Sequence, residues 1–263
     1  MRALRVTLSA LIVLGAATAA AQRPEDTEQW TPVPRVVTPS KGSPTPAAPP
    51  SDAIVLFDGR NLDEWASMDG GPAQWTVANG ALTVNKKAGN IQTKRSFGSY
   101  QLHLEWRIPP EITGSGQARG NSGLFLASIG AGDAGYELQI LDSYNNTTYV
   151  NGQAGSIYKQ FPPLVNAMRP PGEWQTYDVV WTMPTFGGDG SVATPAYVTA
   201  FHNGILIQDH VALKGPTLYI GPPKYTPHGP SPIKLQAHGD PSPPISFRNI
   251  WIRPLDVQME VKK

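Results

Sequence analysis

Along most of the chain, apolar and polar residues alternate in short runs. The clearest are WTVANGALTV, YQLHLEWRI, SGLFLAS, YELQILD, QTYDVVWTM, AYVTAFHNGILIQD, IKLQAHG and ISFRNIWIRPL, each strand-length and rich in aromatic or β-branched residues. A period of two sends successive side chains to opposite faces of a sheet. In residues 101–108, Leu102, Leu104, Trp106 and Ile108 therefore face one way, and His103, Glu105 and Arg107 the other. By the same rule Lys234, Gln236 and His238 oppose Ile233, Leu235 and Ala237, while Glu137 and Gln139 oppose Tyr136, Leu138 and Ile140. Trp106 and Trp251 both fall among apolar residues and are expected in the core. Two runs are interrupted by Asn79-Gly80 and Asn203-Gly204, residue pairs that accept the consecutive positive φ angles of a tight hairpin.

Proline and glycine, 27 and 26 of 263 residues, recur too often for long helices to be threaded between them. Strands joined by hairpins and proline loops, with no fixed repeat, predict an all-β fold: an antiparallel two-sheet jelly-roll sandwich, with a barrel as the alternative.

The ends divide the chain further. Arg2 and Arg5, an apolar run from Leu8 to Gly15 and the small residues Ala19 to Ala21 have the three-part layout of a secretory signal, with cleavage expected before Gln22. The chain is therefore expected to be exported, to the periplasm or beyond, without a membrane span. Residues 22–52 carry prolines at 32, 34, 39, 44, 46, 49 and 50 and no apolar period, which predicts an extended spacer whose removal costs little. Residues 53–263 remain as one domain of a size to hold one core. Cysteine is absent, so disulfides, thiolate nucleophiles and lipid attachment at cysteine are excluded. Loss of the two signal arginines moves the formal charge from +1 to −1, leaving no basic footprint for nucleic acid and pointing to a small neutral partner.

Three strands thus carry polar stripes of His, Arg, Gln and Glu, where an ordinary wet face holds mostly Lys, Glu and Thr. In order, the segments FDGRNLDEW, WTVANGALTV, YQLHLEWRI, GNSGLFL, YELQILDS, PPGEWQTYDVVW, HNG, IKLQAHG and FRNIWIRPL resemble the 3-keto-disaccharide hydrolase domain, a family similar in fold to concanavalin A-like lectins and glucanases. The resemblance implies a sugar held on a concave sheet, and cleavage of glycosides already oxidised to a ketone at C3. Such a ketone acidifies the C2 hydrogen, so that a base can remove it and the oxygen on C1 can leave, after which water adds back.

This chemistry needs a base, an acid and a group to stabilise the enolate oxygen. From the matching motifs, Glu137 and His238 are the candidate base and acid, in either order. Arg107 and Lys159 are candidates for the enolate, with Glu105 orienting one of them or sharing a cation. Asn121, Gln139 and Gln236 are candidate readers of sugar hydroxyls, since amides both donate and accept. Asp142 joins them only through a bulge, its other role being a strand-end turn. A divalent cation on Glu105, Glu137 and His238 is kept open.

Two rivals remain. An ordinary glycosidase of this fold needs two carboxylates on one face, and the strand of Glu137 offers one. A non-catalytic sugar-binding module needs no titratable cluster, so the co-facing Glu105, Arg107, Glu137 and His238 favour an enzyme.

Overall fold

The alternating segments pair into two antiparallel sheets. In the computed structural model, which describes residues 21–255, the larger sheet has eight strands. Its order is Ile205–Ala212, Tyr197–His202, Trp174–Thr182, Tyr100–Arg107, Ser246–Pro254, Ala81–Thr83 and Thr76–Ala78, with Ile54–Phe57 also paired to Ser246–Pro254. The smaller sheet runs Trp65–Ser67, Ile91–Thr93, Lys234–Leu235, Ser122–Ser128 and Gly135–Ile140. The expected signal segment, except its last residue, lies outside the described residues. Among the described residues, no helix is long and apolar enough to cross a membrane.

Both Asn-Gly pairs turn hairpins as the sequence predicts, with φ of 52° and 73° at Asn79-Gly80 and 54° and 79° at Asn203-Gly204. The two sheets form a sandwich closed by apolar side chains. Leu102, Leu104, Trp106 and Tyr177 of the larger sheet, and Leu124, Leu138 and Leu235 of the smaller, are fully buried in one cluster. Burial of each such side chain contributes roughly 1.5–3 kcal/mol. Two phenols cross between the layers: Tyr100 donates to the Leu126 carbonyl at 2.5 Å and Tyr177 to the Gln139 carbonyl at 2.7 Å.

Trp106 is in this core, but Trp251 is on the other face of its strand. Asn249, at φ 49°, forms a bulge that shifts the register between Arg248 and Trp251. The extra residue turns Ile250 and Ile252 inward. Trp251 remains buried, stacked on His103 with ring centroids 5.2 Å apart.

The proline-rich segment is not a free spacer. Arg35–Val36 pairs in parallel with Val165–Asn166. Further on, Arg169 Nε donates to Ser40 O at 3.0 Å, Arg248 Nη1 and Nη2 to Pro44 O and Ser43 O at 2.8 and 3.0 Å, and Asn249 Nδ2 to Ala47 O at 3.1 Å. Hydrophobic pattern misses such docking because these bonds are polar and fall at no regular spacing. A proline-rich chain keeps every carbonyl while losing N–H donors, which suits it to accept from half-buried guanidinium and amide groups.

Deleting residues 22–50 is therefore expected to destabilise the domain. A buried donor left unpaired costs about 1–3 kcal/mol, and each kcal/mol lowers the melting temperature of a domain this size by about 2–4 °C. Calorimetry of the full and shortened chains tests this, and equal melting temperatures would return the segment to the status of a spacer.

Candidate functional site

On the smaller sheet, the face turned away from the core carries the polar stripes of three adjacent strands. Lys234 lies opposite Phe125, Phe125 opposite Glu137, and Gly123 opposite Gln139. Over this face opens a cavity of about 360 Å³ lined by Asn121, Glu137, Gln139, Gln236 and His238, and by Asp133, Tyr158, Thr217 and Tyr219 from loops. The lining contains no Lys or Arg.

Glu137 occupies a hollow left by a missing side chain. A Cβ on Gly123 would lie 2.6 Å from Glu137 Oε1 and 2.9 Å from the Phe125 ring. Among the described residues its carboxyl has no hydrogen-bond partner, although its backbone is held by Thr217 Oγ1 at 3.0 Å and by Tyr158 N at 3.2 Å. Burial pushes this carboxyl up to about 8, with the nearby charge of Asp133 adding and that of Lys234 opposing. At neutral pH it is a carboxylic acid that can give a proton.

His238 is built differently. Its Nδ1 lies 2.9 Å from Asp240 Oδ2, while Nε2 faces Asn121 Nδ2 at 3.5 Å. Asp240 thus holds Nδ1 through its carboxylate and through its backbone N at 3.3 Å, and turns Nε2 toward Asn121 and the cavity. Burial would raise the Asp240 carboxyl, but His238, Ser242 and Lys86 hold it down at about 2, so it stays charged. Lys86 Nζ completes this support at 3.1 Å from Asp240 Oδ1.

The amides form one network. Gln139 Nε2 donates to Gln117 Oε1 at 3.1 Å, and Asn121 Nδ2 to the Gln117 carbonyl at 2.8 Å. The buried Oε1 atoms of Gln139 and Gln236 have no protein partner. Unpaired buried acceptors in a cavity wall are suited to sugar hydroxyls.

Four of the candidates from sequence are elsewhere. Glu105 and Arg107 lie on the outer face of the larger sheet: alternation gave their face correctly but not the sheet it belongs to. Glu105 accepts from Arg248 Nε at 2.6 Å and from Asn249 Nδ2 at 2.9 Å. Burial alone would raise its carboxyl, yet His103, Asn249 and Arg248 keep it low. Arg107 stands 4.5 Å over the Trp174 ring. Lys159 is behind the cavity wall, with Nζ taken by the carbonyls of Pro24 and Tyr219 at 2.6 and 3.0 Å. Asp142 closes the strand-end turn, accepting from Tyr144 N at 3.1 Å and ion-paired with Arg119 at 2.7 Å. With Glu105 on the far sheet, the set named for a cation does not assemble, and among the described residues no other group of three or more His, Cys, Asp or Glu converges.

The family model for a 3-keto-alpha-glucoside-1,2-lyase-like domain matches residues 52–253. The chain belongs to this family. Among solved structures, a candidate glycosyl hydrolase from Parabacteroides distasonis is 52% identical to it, covering 93% of this chain and 100% of the other with a TM-score of 0.76. Two more from the same organism, at 21% identity and TM-scores of 0.56 and 0.53, cover 78% and 77% of this chain and 94% and 99% of theirs, and share the fold. No curated protein matches.

The cavity is also lined by residues that strand reading passed over. Asp133, Thr217 and Tyr219 are in proline- or glycine-rich loops with no periodic signal. Lys234 was visible in the stripe with Gln236, but its ammonium turns to the Gly132 and Ala134 carbonyls at 2.8 Å each and pins the loop that carries Asp133. Asp240 was legible as a carboxylate two residues beyond His238.

Two outcomes follow from this geometry. Gly123→Ala should displace the Glu137 carboxyl and depress activity by at least about tenfold with the fold intact, since the backbone there needs no left-handed φ. Unchanged activity would show that Glu137 has room to spare. For Glu137 the folded state keeps its proton between pH 4.5 and about 8 while the unfolded chain loses it, so wild-type stability falls as pH rises through that window. Glu137→Gln should remove this loss, gaining on the wild type most above pH 8 in denaturant titrations.

Proposed function

We propose that this chain cleaves 3-keto-glycosides by elimination across C1 and C2. His238 Nε2, freed by the Asp240 contact on Nδ1, takes the C2 proton. The electron pair moves toward the C3 ketone as an enolate and then forms the C1–C2 double bond as the C1–O bond breaks. Glu137, neutral in its apolar hollow, gives its proton to the departing oxygen. The products are a 2-hydroxy-3-keto-glycal and the free alcohol or second sugar, and water adding across the double bond completes a net hydrolysis. The unpaired amide oxygens of Gln139 and Gln236 accept from sugar hydroxyls, and Asn121 Nδ2 is a donor near the developing negative charge.

The observation that carries the reading is the pairing of a protonated carboxyl with a carboxylate-oriented histidine in one cavity. On this reading Glu137 is the acid and His238 the base. The family description, a 1,2-lyase, agrees in reaction type, and the 52% identical relative supports action on glycosides. The absence of Lys and Arg from the lining suits an uncharged sugar. One further observation favours a second reading: Asp133 lines the same cavity as Glu137 and supplies the second carboxylate that an ordinary glycosidase requires.

Incubation with a 3-keto-glycoside and with its unoxidised parent separates the two. Cleavage of the ketone alone, with solvent deuterium entering at C2, is the expected result. His238→Ala and Glu137→Gln should each lose about 10²–10⁴-fold in rate, the scale of one general acid or base. Equal cleavage of the parent, with Asp133→Asn inactive, would replace elimination by ordinary hydrolysis. Tight sugar binding without turnover of either compound would make this a binding module.

A further inference from the structure

The first described residues run along the outside of the cavity wall. Lys159, buried and held in left-handed backbone at φ 57°, links the two: Nζ reaches Pro24 O at 2.6 Å and Tyr219 O at 3.0 Å, 4.5 Å from the Tyr219 ring. A second link goes through the backbone of the neighbouring loop. Gln29 N donates to Asn151 Oδ1 at 2.9 Å, Asn151 Nδ2 to Thr27 O at 2.9 Å, and Val150 N to Gln29 O at 2.6 Å. Asn151 O in turn accepts from Lys159 N at 2.8 Å. The third link is aromatic. The Trp30 ring meets Tyr149 edge-on at 6.1 Å, and the Tyr149 hydroxyl bonds that of Tyr158 at 2.6 Å.

All three links end on Tyr158 or Tyr219, or on the loop that carries Tyr158. These two rings are the aromatic part of the cavity lining. Tyr219 is largely exposed, in a loop with exposed Leu218 and Ile220, so little apolar packing holds it. Its fixed contact is the carbonyl bond to Lys159, whose other partner is the N-terminal segment.

We propose that residues 22–30 are a working part of the site: through Lys159 and Tyr149 they set the positions of Tyr219 and Tyr158, and thereby the grip on the sugar. Trp30 and Lys159 are positioning residues. Neither lines the cavity, and neither touches Glu137 or the His238–Asp240 pair. Loss of either loosens the wall and weakens binding while proton transfer in the bound complex proceeds. An aromatic wall beside hydrogen-bonding amides is a common means of holding a sugar ring by its apolar face. The proposal concerns the wall and holds for whichever glycoside chemistry the cavity performs.

Trp30→Ala and Lys159→Met in the full chain test it, with Trp30→Phe as the conservative control. Hydrogen exchange in residues 149–159 and 217–221 should rise by about tenfold in the first two, with Tyr100–Arg107 unchanged. On a 3-keto-glycoside KM should rise by about tenfold while kcat stays within about twofold, and Trp30→Phe should restore both. Unchanged exchange in the two loops, or faster exchange with an unchanged KM, overturns the proposal. Faster exchange throughout the sheets also overturns it, by making the segment a general stabiliser. If the wild-type chain turns over no 3-keto-glycoside, the cleavage reading fails and the exchange measurements alone decide this one.

Discussion

Apolar packing between the two sheets is the constraint on which the remaining features depend. Without cysteine the layers are not stapled, so Trp106, Tyr177, Leu124, Leu138 and their neighbours must hold them at a fixed separation. Once that layer is set, the period of two decides where every intervening polar residue goes. On the smaller sheet they become the floor of a cavity. On the larger sheet they become anchors for the chain that precedes the domain. Loops from Asp133 and Thr217 fold over the smaller sheet beside the cavity, and all seven residues of Ser122–Ser128 are buried although alternate ones point away from the core.

The two buried polar clusters have the same ingredients and opposite electrostatics. On the larger sheet, burial would lower His103, yet Asp178 at 2.7 Å and Glu105 raise it to about 9, so a charged imidazolium sits among carboxylates. Arg248 and Asn249 saturate Glu105. The network is paired charge to charge, with His103 Nε2 3.6 Å from Glu105 Oε1, and it holds the chain that precedes the domain as a strap. On the smaller sheet, the Glu137 carboxyl has no hydrogen-bond partner among the described residues, and burial pushes it up to about 8. A group with an unmet need for a proton or a ligand in a cavity is where chemistry is expected.

The fold was legible because hairpins and alternation are local: Asn79-Gly80, Asn203-Gly204 and the inward set Leu102, Leu104 and Trp106 required nothing beyond neighbouring residues. Half of the candidate site was legible for the same reason, since Glu137 and Gln139 lie on a strand, while Asn121, Gln236 and His238 flank strands. What escaped was long-range. Nothing within the segment carrying Glu105 and Arg107 says which sheet it joins, and only the pairing of Tyr100–Arg107 with Trp174–Thr182 and Ser246–Pro254 puts them on the far side. Trp251 was misplaced by a single residue, Asn249, whose positive φ inverts the alternation downstream. The strap escaped because its bonds are to backbone carbonyls, which every sequence possesses.

The strap also orders events in time. Residues 22–47 are made well before the groups that bind them: Asn151, Lys159, Arg169, Arg248 and Asn249 lie 124 to 204 positions downstream of their partners. Residues 24–40 have no partner until the stretch from Asn151 to Arg169 has been made, and residues 43–47 none until Arg248 and Asn249 follow. The stretch around Ser43 to Ala47 thus stays extended and open to proteases until the strand Ser246–Pro254 exists to receive it.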